Sequence, residues 1–279
     1  VTSFDADTAV TRIAEHVYRG EISPAWSIGR GPNGGYLAAL LLRALQKVAG
    51  EGVDPRSLTL HYLAPPDIGL CEVAVTIERS GRTMSMLSAR LSQGARLCVI
   101  ALAVFSRPRA GLEIVEERMP DAPLPTDATP VPAGMGPPFW QNYEVRMAYG
   151  ALPFSGAETL RSGGWLRLRE PRMADPLFFA ALTDAWFPQI FTRLSAPVPA
   201  PTIDLTIHFR AHLPLASARP DDWYLLAVST RLATEGFFEE DTEVWSRDGR
   251  LLAQSRQLAL APDRAADRAG SSADNGTNG

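Results

Sequence analysis

Ser57-Leu58-Thr59-Leu60-His61-Tyr62-Leu63-Ala64 and Asp204-Leu205-Thr206-Ile207-His208-Phe209-Arg210-Ala211 are two versions of one octapeptide. Leu, Thr, His and Ala recur at matching places, and Leu60 against Ile207 and Tyr62 against Phe209 are conservative pairs. Farther on, Ala95-Arg96-Leu97 corresponds to Gly249-Arg250-Leu251, each opening an apolar run. The offset grows between these matches, as a longer loop around 215–222 requires. Self-similarity of this kind implies two copies of one supersecondary unit.

The first copy shows what the unit contains. Leu37, Leu40, Leu41, Ala44, Leu45 and Val48 fall on one face at helical spacing, and Gly50, Gly52 and Pro55 end the run. Before that helix, residues 26–28 read as a short strand and 29–35 as a glycine-rich loop. After it, Cys71, Val73, Val75 and Ile77 alternate with Glu72, Ala74, Thr76 and Glu78, a period of two that marks a strand. Turns are expected at Ser80-Gly81-Arg82 and Gln93-Gly94. In the second copy, strands are expected at 143–147 and 165–168, a helix from Pro176 to about Phe187, and further strands from Thr202 to Leu260. The expected class is α+β, two tandem antiparallel sheets each wrapped around a central helix. Residues 1–106 and 139–261 form the halves, 107–138 a proline-rich linker between them, and 262–279 a disordered tail.

Composition narrows the function. The 279 residues carry a net charge of −4 with both signs interspersed, which gives no basis for binding nucleic acid or an anionic membrane. No apolar run approaches the roughly 20 residues that span a bilayer, and 1–12 lacks a signal-peptide layout. A cytoplasmic protein is expected, with Cys71 and Cys98 as buried free thiols.

The order of elements, with Gly-Pro-Asn-Gly-Gly-Tyr at 31–36, His61-Tyr62 before Pro65-Pro66, Asp184 in the second helix, Thr202-Ile203-Asp204 and Gln254-Ser255-Arg256-Gln257, resembles the double-hot-dog acyl-CoA thioesterase family of the medium-chain thioesterase II type. The resemblance runs from about Trp26 to Ala261. It implies hydrolysis of acyl-CoA or acyl-carrier-protein thioesters, in fatty acid or polyketide metabolism, without cofactor or metal. In that family an aspartate, a hydroxyl and a glutamine hold the hydrolytic water. The aspartate is carried over to Asp204, the glutamine to Gln257, and the hydroxyl to Thr230, with Thr234 and Ser229 as rivals.

In this scheme Asp204 is the general base, and Gln257 and Thr230 orient the water. Asn33, Gly34, Gly35 and Tyr36 bind substrate, the helix-start amides facing the thioester carbonyl oxygen. The repeat pairs Asp204 with Ser57 and Gln257 with Ala103, so the polar groups occur in one copy alone. Gly29, Gly31 and Gly34 fit a dinucleotide fingerprint, but Pro32 interrupts the loop and no repeated βαβ pattern follows. No G-x-S-x-G occurs, and His208 with His212 lies in a strand-to-loop segment without other ligands. Two alternatives stand beside hydrolysis. One is a dehydratase-like double hot-dog using His16, on an expected helix with Val10, Ile13 and Val17, together with Asp184. The other is a non-catalytic acyl-binding protein. A homo-oligomer is compatible with each.

Overall fold

The computed structural model describes residues 2–132 and 134–261. The first half comprises α1 (Ser3–Asp7), β1 (Thr11–Ala14), β2 (Val17–Ile22), α2 (Gly34–Ala49), β3 (Asp54–Tyr62), β4 (Gly69–Ser80), β5 (Met84–Gln93) and β6 (Arg96–Ser106). The second comprises β7 (Thr129–Pro130), β8 (Tyr143–Tyr149), β9 (Arg161–Leu168), α3 (Pro176–Leu182), α4 (Ile190–Arg193), β10 (Thr202–Phe209), β11 (Tyr224–Ser229), β12 (Ala233–Thr234), β13 (Phe237–Ser246) and β14 (Leu251–Leu260). The apolar stripe of α2 does what its spacing requires: Leu37, Leu40, Leu41, Ala44 and Leu45 are buried against β3–β6. Asn33 caps its start and Gly50, at φ 85°, ends it. Burying each such leucine contributes about 1.5–3 kcal/mol.

All the strands except β12 follow one path, β1-β2-β4-β5-β6-β3-β10-β14-β13-β11-β9-β8-β7, and β12 pairs with β13. The two octapeptides meet at its middle, where β3 and β10 pair antiparallel. Thr59 lies opposite Thr206, its own counterpart in the repeat, with the hydroxyl oxygens 3.2 Å apart. The halves are therefore related by a local twofold through this pair. Registers on either side agree: Leu58 faces Ala103 where Leu205 faces Gln257. Both central strands also carry a bulge at equivalent places, between Pro55 and Ser57 and between Thr202 and Asp204.

Several local expectations are corrected. Residues 26–28 are not a strand: Pro24 starts a 3-10 turn, Pro24–Trp26, capped by Ser23, and only Ser27 bridges back to Pro32. His16 is not on a helix but in the tight turn between β1 and β2, at φ 54°. The second helix stops at Leu182 rather than near Phe187, because the chain tightens as Thr183 Oγ1 donates to the Ala180 carbonyl and Pro188 follows. The proline-rich segment is more than a spacer. Its Met119, Ala122 and Ala128 pack on Trp165, Leu225 and Trp245 of the second half's strands, in a cluster apart from the main core. The Trp165 Nε1–H and Arg146 Nη1–H groups donate to the Pro123 and Pro125 carbonyls, both at 2.8 Å. Cys71 and Cys98 are buried and unpaired. The tail expected at 262–279 lies outside the described residues.

The N-terminal helix is tied to the second half by charge. Arg172, 10% exposed, binds Asp5 at 2.9 Å and Asp175 at 2.8 Å, and its guanidinium lies 5.0 Å from the Phe4 ring centre. Burial alone would raise the Asp5 pKa, but its bonds to Arg172, Thr2 and Arg43 outweigh that and hold it well below 3.8. Arg172→Ala leaves two half-buried carboxylates facing each other and is expected to cost about 2–3 kcal/mol. Urea unfolding at pH 7 measures it.

Candidate active site

Asp184 follows α3 as the one partly exposed residue in an otherwise buried run, 176–187. Its Oδ2 accepts from the Gly35 backbone N–H at 2.8 Å and from Asn33 Nδ2 at 2.9 Å. Asn33 Nδ2 also donates to the Asp184 carbonyl at 2.9 Å, while Asn33 Oδ1 accepts from the Tyr36 N–H as the helix cap. The second half thus plants a carboxylate on the N-terminus of the first half's helix. The glycines permit it. A Cβ on Gly35 would lie 2.5 Å from the Ala181 carbonyl oxygen, and one on Gly34 would lie 3.0 Å from Asp184 Oδ2. Burial pushes the Asp184 pKa up to about 6, against the pull of the Gly35 and Gly34 amides and Asn33.

A second polar chain lies on the inward face of β14. Thr202 Oγ1 donates to Gln257 Oε1 at 2.9 Å, and Gln257 Nε2 donates to Glu240 Oε1 at 2.9 Å. The Gln189 backbone N–H closes the chain on Glu240 Oε2 at 2.6 Å. Glu240 is 3% exposed, and burial pushes its pKa up to about 8, with the Asp184 charge adding to the rise. Ser255, two residues before Gln257 on the same face, donates to the Thr183 carbonyl at 3.3 Å, which ties β14 to the segment carrying Asp184.

Asp204 is not part of this cluster. It sits opposite Leu258 and His61, exposed positions, whereas Gln257 sits opposite Leu205 and faces the core. The bulge at Ile203 is the reason. The extra residue reverses the alternation, so Thr202, opposite the buried Ala259, turns inward and Asp204 turns outward. Thr230 is 4% exposed and its hydroxyl has no protein partner among the described residues, but the hydroxyl that reaches Gln257 is that of Thr202. Thr234 is exposed in β12, and Ser229 has the opposite parity to the inward Val228. Tyr36 is fully buried, stacked on Trp26 with ring centres 5.3 Å apart, and its hydroxyl donates to the Asp7 and Glu21 carbonyls. It is a core residue and does not line a surface. The amides expected to face a substrate carbonyl are already donated, Gly35 to Asp184 and Tyr36 to Asn33.

Thr202 and Glu240 were not singled out as site residues by the sequence, and Asp184 only in the dehydratase alternative, although the repeat contains the signal. The caps Asn33 and Asp175 make Leu42 the counterpart of Asp184, each nine positions on. The strand registers make Pro55 the counterpart of Thr202, Leu87 of Glu240 and Ala103 of Gln257. Four buried apolar positions in the first half have become polar in the second. Burying such groups costs stability even when they are bonded. The equivalent place at the start of α3 is closed by Asp175, which caps Phe178 N and is held by Arg172.

Comparison with known proteins gives two matches that cover most of the chain. Residues 22–106 match the family model described as the acyl-CoA thioesterase N-terminal domain, and 117–261 match the C-terminal domain. An uncharacterized protein of Mycobacterium tuberculosis is 29% identical over 88% of this chain and 91% of its own. Acyl-CoA thioesterase 2 of Haemophilus influenzae is 25% identical over 89% and 93%. Among solved structures, a conserved hot-dog protein of unknown function from Alicyclobacillus acidocaldarius aligns with a TM-score of 0.85 and 28% identity. That alignment covers 94% of this chain and all of the other.

The raised acids make stability depend on pH. Glu240 in the fold keeps a proton that the unfolded chain releases near 4.5, so stability falls as pH rises toward about 8. The wild type is expected to lose about 2 kcal/mol between pH 6 and 8, and Glu240→Leu to lose most of that slope. Urea unfolding of both proteins across this range checks it.

Proposed function

The chain belongs to the acyl-CoA thioesterase family, and on that footing we propose that it hydrolyses acyl thioesters of coenzyme A or of a carrier protein, with Asp184 as the general base. The observation that carries this reading is the conversion of four buried apolar positions into Asp184, Thr202, Glu240 and Gln257 in one half only. The arrangement fits a double hot-dog in which the two halves share a single working site.

In the proposed reaction, Asp184 Oδ2 stays bonded to Gly35 and Asn33, and Oδ1 takes a proton from water. The water oxygen attacks the thioester carbonyl carbon, and the carbonyl π electrons move onto oxygen. When the tetrahedral intermediate collapses, the C–S bond breaks and the leaving thiolate takes the proton back from Asp184. The products are a carboxylic acid and a free thiol. Thr202 donates its own proton to Gln257, so its oxygen lone pairs are the acceptors that orient the water. A base whose pKa is near 6 is ionised at pH 7 and still basic enough to take a proton in the transition state. Trp186 and Phe187, two and three residues after Asp184, pack with ring centres 5.1 Å apart beside Trp140 and form an apolar wall suited to an acyl chain.

The dehydratase alternative is not favoured, because His16 is half-buried in the β1–β2 turn and is not among the groups bonded to Asp184. Asp204, on the outward face, has no place in the reaction.

Thiol release from acyl-CoAs of increasing length tests the reading. Turnover is expected on part of the panel, with kcat/KM falling about tenfold per pH unit below about 6. Asp184→Asn is expected to lower kcat at least about 100-fold, and Asp204→Asn to change it less than about threefold. A folded wild type that is silent on CoA and carrier-protein thioesters alike overturns the proposal. Loss of turnover in Asp204→Asn with retention in Asp184→Asn reverses the assignment of the base.

A further inference from the structure

Glu240 is a buried acid that the hydrolytic step does not consume. Gln257 can orient a water only if its amide is held one way round, since its oxygen and nitrogen offer opposite hydrogen-bonding characters. Thr202 cannot settle this alone, because a hydroxyl donates or accepts equally well. Glu240 Oε1, 2.9 Å from Gln257 Nε2, accepts from it when the acid is ionised or carries its proton on Oε2, and in both states it requires the amide nitrogen on its own side. The Gln257 oxygen is then left for the Thr202 hydroxyl at 2.9 Å. Glu240 is itself fixed from behind by the Gln189 N–H at 2.6 Å. Its counterpart in the first half is Leu87, paired with Ala103, where there is no amide to orient.

We propose that Glu240 is a positioning residue, which sets the orientation of the Gln257 amide and through it directs the Thr202 hydroxyl proton away from the water. The inference rests on the hydrolytic reading for its consequence in turnover, but its geometry stands apart from that reading. Without Glu240 the amide is free to flip. Thr202 then accepts from Gln257 and turns its own proton toward the water, which loses its acceptor.

A double-mutant cycle separates this from a merely structural role. Glu240→Leu, which installs the first-half residue, is expected to lower kcat about 10- to 100-fold with KM within about twofold. In a Gln257→Ala background the same change is expected to cost less than about threefold, because the group it positions is already gone. Multiplicative losses in the double mutant overturn the proposal. If Glu240→Leu fails to fold, Glu240→Gln replaces it. Its near-isosteric amide must set a nitrogen against either Gln189 N–H or Gln257 Nε2, so it too disturbs the chain. A second measurement needs no turnover: the Gln257 side-chain NH2 signals in a 1H–15N spectrum, identified by their loss in Gln257→Ala. They are expected to shift and exchange faster in Glu240→Leu, and unchanged signals overturn the proposal even for a protein that hydrolyses nothing. A silent wild type whose Gln257 signals do shift supports the positioning role and refutes only the thioesterase reading.

Discussion

The pairing of β3 with β10 is the constraint on which the rest of the molecule depends. It sets Thr59 against Thr206 and so places the local twofold axis. With that axis fixed, the start of α2 from the first half meets the end of α3 from the second, close enough for Asp184 to bond Gly35 and Asn33. A slip of one residue at the seam would turn Leu58, Leu60, Leu205 and Ile207 out of the core. It would also separate the two helix ends. The glycines at 34 and 35 are the local condition for that meeting, since a side chain at either place would collide with Asp184, Tyr62 or Ala181.

Around this symmetric frame the side chains are deliberately unequal. A scaffold selected for stability alone would fill equivalent buried positions alike, as Leu58 with Leu205 and Leu60 with Ile207 do. Leu42, Pro55, Leu87 and Ala103 against Asp184, Thr202, Glu240 and Gln257 depart from that rule together. The departures cluster on one polar chain and one helix terminus, not over the whole sheet. At the opposite helix terminus, Arg172 neutralises Asp175 and binds α1 in the same contact. The first half contributes a helix N-terminus to the carboxylate of the other.

The repeat, the long helix and the alternating strands were legible in the sequence because each rests on a period longer than any single exception. The site was legible in part. Gln257 was expected to be polar in one copy only, against Ala103 in the other, and β14, which runs without interruption through that stretch, turns it inward. Asp204, expected beside Gln257, faces the other way because of one residue. A bulge at Ile203 inverts the parity, and nothing in Thr-Ile-Asp announces a bulge. Asp184 was visible as a residue of the second helix, but its importance lies in a contact 151 residues away with Asn33. Glu240 lies in a run of acids, Glu239-Glu240-Asp241, where only the strand partners distinguish the buried one from Glu239, which accepts from the Arg231 and Leu232 backbone N–H groups, and Asp241, which pairs with Arg231 and Arg256.

The Asp184 environment also explains how one carboxylate can cap a helix and remain a base. A helix N-terminus stabilises a nearby negative charge by about 0.3–1 kcal/mol, up to about 2 when partly buried, which lowers a carboxyl pKa by at most about 1.5. Acting alone, that would leave an acid too strong to take a proton from water. Burial acts in the opposite sense and is the larger influence, so the pKa settles near 6. The Asp184 charge in turn adds to the rise of the Glu240 pKa, which burial dominates. The cap therefore holds the carboxylate in place, and the apolar wall restores the basicity that the cap would otherwise remove.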